Sequence, residues 1–175
     1  MKGPEIGILV AIALVCAALL ALPASAAPPL HRLTCGGWGV SGAPTWDTSA
    51  IVGDTVHFTC AGVQMADRMW TGEGTFRANL DGAPIAAHLD IDNGMVFGTA
   101  PWRTAGLWGY AEVTYMGVTS TEQYTMTFAQ DSSTRPNALG GVVMSLGRPG
   151  TSEYHSWWVA EGYGGDVLGG AISID

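Results

Sequence analysis

The chain reads as all-β: an antiparallel sandwich or barrel of about eight to ten strands that follows a cleaved N-terminal signal peptide. Three observations lead there. Apolar and polar residues alternate with period two, glycine-rich turn sequences break the alternation at short intervals, and no long segment carries helical periodicity.

The clearest alternating runs are Thr55-Val56-His57-Phe58-Thr59-Cys60 and Thr75-Phe76-Arg77-Ala78-Asn79-Leu80. Asp81-Gly82 follows the second, and residues 84–91 run back with Ile85, Ala87, Leu89 and Ile91 on one face. An Asp-Gly pair between alternating runs marks a hairpin, because both residues accept positive φ. Asp92-Asn93-Gly94 predicts a second such turn, leading into Met95-Val96-Phe97 and completing a three-stranded meander. Residues 110–116 and 124–129 read as strands around 117–123, and Asp-Ser-Ser-Thr-Arg-Pro-Asn at 131–137 is the clearest long loop. Residues 142–146 form a strand closed by Gly147-Arg148-Pro149-Gly150; strands at 154–160 and 167–174 complete the pattern. Leu139-Gly140-Gly141-Val142 and Leu168-Gly169-Gly170-Ala171 read as two strand starts with similar turn chemistry rather than a repeat. Residues 27–44 are the weakest part: Pro28-Pro29 and the Gly36-Gly37-Trp38-Gly39 run predict an irregular N-terminal arm. Nothing in 27–175 has linker composition, so a single domain is expected there.

The expected signal peptide is 1–26. Lys2 supplies positive charge, residues 6–22 are apolar or small without a break, and Ala24-Ser25-Ala26 fits the small-x-small pattern that signal peptidase reads. The apolar run is at the short limit for a membrane-spanning helix and lacks a charged flank on its far side, so no stable span is expected after cleavage. The expected location is secreted or periplasmic.

The net charge is −8, and beyond the signal segment the only basic side chains are six scattered arginines. No basic stripe exists to displace counterions from a phosphate backbone, which argues against nucleic acid, and the same scarcity argues against an anionic membrane surface. Cys35 and Cys60 remain after cleavage. In an oxidising compartment an isolated pair tends to bridge, and closing a loop of about 25 residues removes roughly 3 kcal/mol of unfolded-chain entropy.

The sequence has no Gly-x-Ser-x-Gly, no His-Glu-x-x-His and no phosphate loop. His88, Asp90 and Asp92 would share one strand face and are weak candidates for a divalent ion, but the remaining ligands of a calcium loop are missing; an exposed hairpin face without metal is the expectation. Seven tryptophans are many for this length. Trp157 and Trp158 are adjacent on a strand and must face opposite ways. Glu153 and His155 share the parity of Trp157, which predicts Trp157 outward, as the anchor of a binding surface with Tyr154, His155 and Glu153.

The resulting expectation is a small exported β domain acting as a binding or surface-interaction module rather than an enzyme, with no cofactor. Its partner would be a protein, a glycan or a small apolar ligand. One alternative is a barrel holding an apolar ligand in its lumen, beside small inward residues such as Ala78, Ala87 and Ala111. Another is a carbohydrate-active enzyme, which needs two facing carboxylates. Mass spectrometry of exported material is expected to find Ala27 at the N-terminus; an intact 1–26 segment would overturn the cleavage site.

Overall fold

A computed structural model describes residues 28–99, 103–131 and 138–175. The expected signal segment, and positions 132–137 of the expected loop, lie outside them. The chain forms one strongly curled sheet, a half-barrel, with no α-helix among the described residues. The strands are β1 (His31–Val40), β2 (Ala50–Ile51), β3 (Thr55–Gln64), β4 (Trp70–Leu80), β5 (Ala83–Ile91), β6 (Asn93–Phe97), β7 (Thr104–Tyr115), β8 (Val118–Asp131), β9 (Ala138–Gly147), β10 (Tyr154–Val159) and β11 (Asp166–Ile174). Their spatial order is β11-β1-β3-β4-β5-β7-β8-β9-β10-β2, with β6 paired on β7. All neighbours are antiparallel except β10 and β2. The sheet curls until β11 meets β9 at Ala171↔Ala138, which sets the two similar Leu-Gly-Gly segments side by side.

Period two does most of this work. On β3, Val56, Phe58 and Cys60 are buried while Thr55, His57 and Thr59 are exposed, and β4, β5 and β7 follow the same alternation. The inward residues fill the hollow of the curl. Phe58 and Phe128 meet across it with ring centroids 6.0 Å apart, and Phe76 meets Trp157 at 5.0 Å. Each such ring contributes about 1.5–3 kcal/mol by leaving water. Ala78, Ala87 and Ala111 do face inward, and they are buried within this same core.

The Asp81-Gly82 hairpin is as expected: φ is 52° and 78°, the mirror-image turn that matches strand twist. Three expectations need correction. The expected irregular arm at 27–44 instead holds the regular strand β1, which pairs with β3 in unbroken register and with β11 through one register shift between Trp38 and Gly39. The glycines that look like disorder permit close packing: a Cβ on Gly37 would stand 2.6 Å from the Gly169 carbonyl oxygen. Asp92-Asn93-Gly94 is not a turn either. The chain passes straight through it into β6, because Gly94 packs flat against Gly106 and Leu107 of β7. Residues 118–123, expected as connection, extend β8, and the reversal is confined to Met116-Gly117.

A segment at 41–54 closes the edge beyond β10. Ser156 N–H donates to the Ser49 carbonyl at 3.1 Å, and Gly42 N–H to that of Trp158 at 2.9 Å. Asp47 pins the segment. It accepts from Ser49 N–H at 2.9 Å, Ser49 Oγ at 2.6 Å, Trp158 Nε1 at 2.7 Å and Ser156 Oγ. Burial alone would raise its pKa, but the hydrogen bonds from Ser156, Ser49 and Trp158 together outweigh that and hold it down at about 2.

Cys35 and Cys60 lie directly opposite one another on β1 and β3, both buried and both free thiols here. Burial first, then the contact with Cys60, pushes the Cys35 thiol far above its ordinary value. A thiol so held is a poor nucleophile, so a bridge would have to form before the strands close over it. Refolding of reduced protein with oxidised glutathione present is therefore expected to give material without titratable thiols, whereas the same oxidant added after folding should act far more slowly. Two thiols surviving both regimes would remove the bridge.

Candidate functional site

The site begins with a count mismatch. β5 pairs with the second half of β7 from Ile85↔Tyr115 to Leu89↔Ala111, and β6 pairs with its first half from Asn93↔Trp108 to Phe97↔Thr104. Asp90, Ile91 and Asp92 thus stand opposite only Gly109 and Tyr110. This is a bulge, a device that re-aims side chains where regular pairing is interrupted. Ile91 is buried, and Asp92 is laid over Gly109: a Cβ on that glycine would fall 2.6 Å from Asp92 Oδ1. Asn93 Nδ2 donates to the same oxygen at 2.9 Å. The carbonyl of Asp90 accepts from Tyr124 Oη at 2.9 Å. Burial, then the charges nearby with Asp92 foremost, pushes the Tyr124 phenol well up, so it stays protonated as that donor.

Beside the bulge lies a groove of about 400 Å³ over β6 to β10. Trp108 and Tyr110 wall it from β7, Gln123 and Thr125 from β8, Ser145 from β9 and Tyr154 from β10, with Asp92, Asn93, Gly109 and Tyr124 completing the lining. Register explains the assembly: Tyr110 pairs with Gln123, Trp108 with Thr125, and Thr125 with Ser145. Tyr154 Oη donates to Gln123 Oε1 at 2.9 Å, and Gln123 Nε2 reaches Tyr110 Oη at 3.5 Å, so the amide is fixed between two phenols. Trp108, Tyr110 and Tyr154 remain 39%, 52% and 49% exposed, high for aromatic side chains. The groove therefore offers aromatic surface ringed by amides, hydroxyls and one carboxylate.

The residues expected from sequence divide three ways. Tyr154 lies in the groove. Glu153 and His155 do not: Glu153 meets Arg148 at 3.4 Å and His155 at 3.9 Å, while Arg148 pairs with Asp81 at 3.1 Å and stands over the Tyr115 ring. They form a charged cluster at the end of the curl where the β4–β5, β7–β8 and β9–β10 connections gather. Trp157 is the correction. It is fully buried against Phe76, and Trp158 is the outward member, half-covered by Trp46 and Tyr163. The parity inference failed because the inward face of β10 emerges at that charged end. His155 is an inward position whose side chain lies mostly out of solvent, so a polar residue of shared parity did not mark the outer face.

His88, Asp90 and Asp92 are exposed as expected, with His88 Nε2 4.0 Å from Glu73 and Asp92 drawn aside by the bulge. Among the described residues no group of three or more His, Cys, Asp or Glu side chains could hold a metal ion. No helix among them is long and apolar enough to cross a membrane. Trp108, Tyr110, Gln123 and Asn93 were missed from sequence. The available signal was Trp108-Gly109-Tyr110, two aromatics on one strand face around a glycine. No family model, curated protein or solved structure matches the chain.

Trp157→Ala is expected to cost about 3–5 kcal/mol, as ring-to-methyl changes in packed cores do. Tyr154→Ala should cost about 1 kcal/mol or less. Urea titration of the two variants checks the order, and equal losses would mean that Tyr154 is structural.

Proposed function

We propose that the mature domain is an exported binding module that takes a neutral glycan in the groove beside the β5–β6 bulge. The observation that carries this reading is the set of three part-exposed aromatics, Trp108, Tyr110 and Tyr154, around fixed amide and hydroxyl groups. Sugar rings present apolar C–H faces and a rim of hydroxyls, and this lining has a counterpart for both. A protein partner remains compatible with the aromatic surface, but a concave site with convergent polar groups favours a small ring over a flat epitope. Among the described residues Asp92 is the one carboxylate that lines the groove, which favours binding over two-carboxylate hydrolysis. The rings of Phe58, Phe76, Phe128 and Trp157 in the hollow of the curl favour this outer groove over a lumenal ligand.

Calorimetry with cello-, xylo-, manno- and chito-oligosaccharides tests the reading. At least one series is expected to bind. Trp108→Ala should then weaken it by about 1–2 kcal/mol, the range of an aromatic anchor, with no change in fold. Silence of all four series at millimolar concentration would remove the glycan reading.

A further inference from the structure

We infer that a second, separate site on the outer face of β1, β3 and β4 binds a sugar ring carrying one carboxylate. Its register is simple. Trp38, His57 and Arg77 form one cross-strand row, and Gly36, Thr59 and Thr75 form the next. Gly36 is an outward position without a side chain, between Thr34 and Trp38, so the second row is a low floor and the first row a wall. Together they bound a depression of about 530 Å³.

Trp38 is 43% exposed and stacks on His57 with ring planes 15° apart and centroids 6.2 Å apart. The Thr59 and Thr75 hydroxyls hold one another at 2.8 Å on the floor, each keeping hydrogen-bonding capacity toward solvent. Strands lie about 4.8 Å apart, so the backbones of Trp38 and Arg77 are about 10 Å apart across β3. One ring with an exocyclic carboxylate, lying on the Gly36-Thr59-Thr75 floor alongside His57, has the length to reach from the indole to the guanidinium.

The charge is what selects the ligand. Arg77 makes no ion pair with any described residue, although acidic side chains outnumber basic ones in this chain. An exposed guanidinium left open in the same row as an indole, across His57 from it, is a ready fork for a carboxylate. The net charge of −8 repels an extended polyanion, so the occupant carries one carboxylate rather than many. The site lies on strands different from those walling the Trp108 groove and does not depend on that groove's role.

The experiment uses ¹⁵N-labelled mature protein titrated with methyl β-D-glucuronide and, separately, methyl β-D-glucoside. The Trp38 indole N–H is assigned through Trp38→Phe. The glucuronide is expected to shift that indole and the Gly36 amide saturably, and to bind about tenfold tighter than the glucoside, the worth of one charge-assisted contact. Arg77→Gln should erase the difference, while Arg32→Gln, at another exposed arginine, should leave it. Equal binding of the two sugars, a preference that survives Arg77→Gln, no binding of the glucuronide, or shifts at the Trp108 indole in place of Trp38 would each overturn the inference. A neutral glycan failing at the Trp108 groove would leave these outcomes unchanged, so the two readings fail separately.

Discussion

Backbone meets backbone along the β1–β11 seam, and the curl of the whole sheet depends on that approach. A Cβ on Gly37 would clash with the Gly169 carbonyl, and one on Gly170 would stand 2.8 Å from the carbonyl oxygen of Gly36. With side chains at these places the two strands would be pushed apart, β11 would not reach β9, and the open hollow would expose Phe58 and Phe128. The seam has a cost, since bare glycine contributes no packing and orders at an entropic penalty. Part of that cost is offset by Trp38, whose indole lies over Gly169. The same glycine run that lets the sheet close also leaves Gly36 bare on the outside. Fold and candidate anion site thus share one local cause.

The bulge between β5 and β6 is the second place where curvature and site coincide. β7, twelve residues long, is paired by β5 over one half and by β6 over the other, and the extra residue lies where the two partners join. A regular ladder there would have satisfied its own backbone and left no reason for Tyr124 to reach Asp90. The interrupted ladder instead takes a phenol from the core as donor and presents Asp92 beside Trp108. The bulge adds local twist, which the curl needs, and re-aims a carboxylate, which lines the groove.

What was legible in the sequence follows from what is local. Alternation and the Asp81-Gly82 pair depend on neighbours along the chain, and they place β3, β4 and β5 correctly. Asn93-Gly94 has the same local signature as a turn. It is a strand because of Gly106 and Leu107, partners that only tertiary pairing brings near. Residues 27–44 were unreadable as a strand for a similar reason, since Gly37 makes sense only opposite Gly169 and Gly170. Trp157 shows a third kind of limit. Parity along β10 is strict, but its sign was taken from Glu153 and His155, which lie where the inner face opens to solvent. The groove itself needs four registers at once, and no single strand announces it.

The two proposed outer sites differ in the charge each presents, and that difference would set their selectivity. Both offer an indole, hydroxyls and a ring-sized depression. An acidic ring approaching the Trp108 groove would meet Asp92, already fixed by Asn93, in a protein whose overall field is negative. The same ring approaching Trp38 would meet Arg77, which has no competing partner among the described residues. At contact distance a unit charge pair is worth about 1 kcal/mol in bulk water and about 4 kcal/mol at the effective dielectric of a protein surface. A like pair at one site and an opposite pair at the other double the separation. On the proposed reading, aromatic surface would decide that a ring binds at all, and the carboxylate at one site and the guanidinium at the other would decide which ring it is.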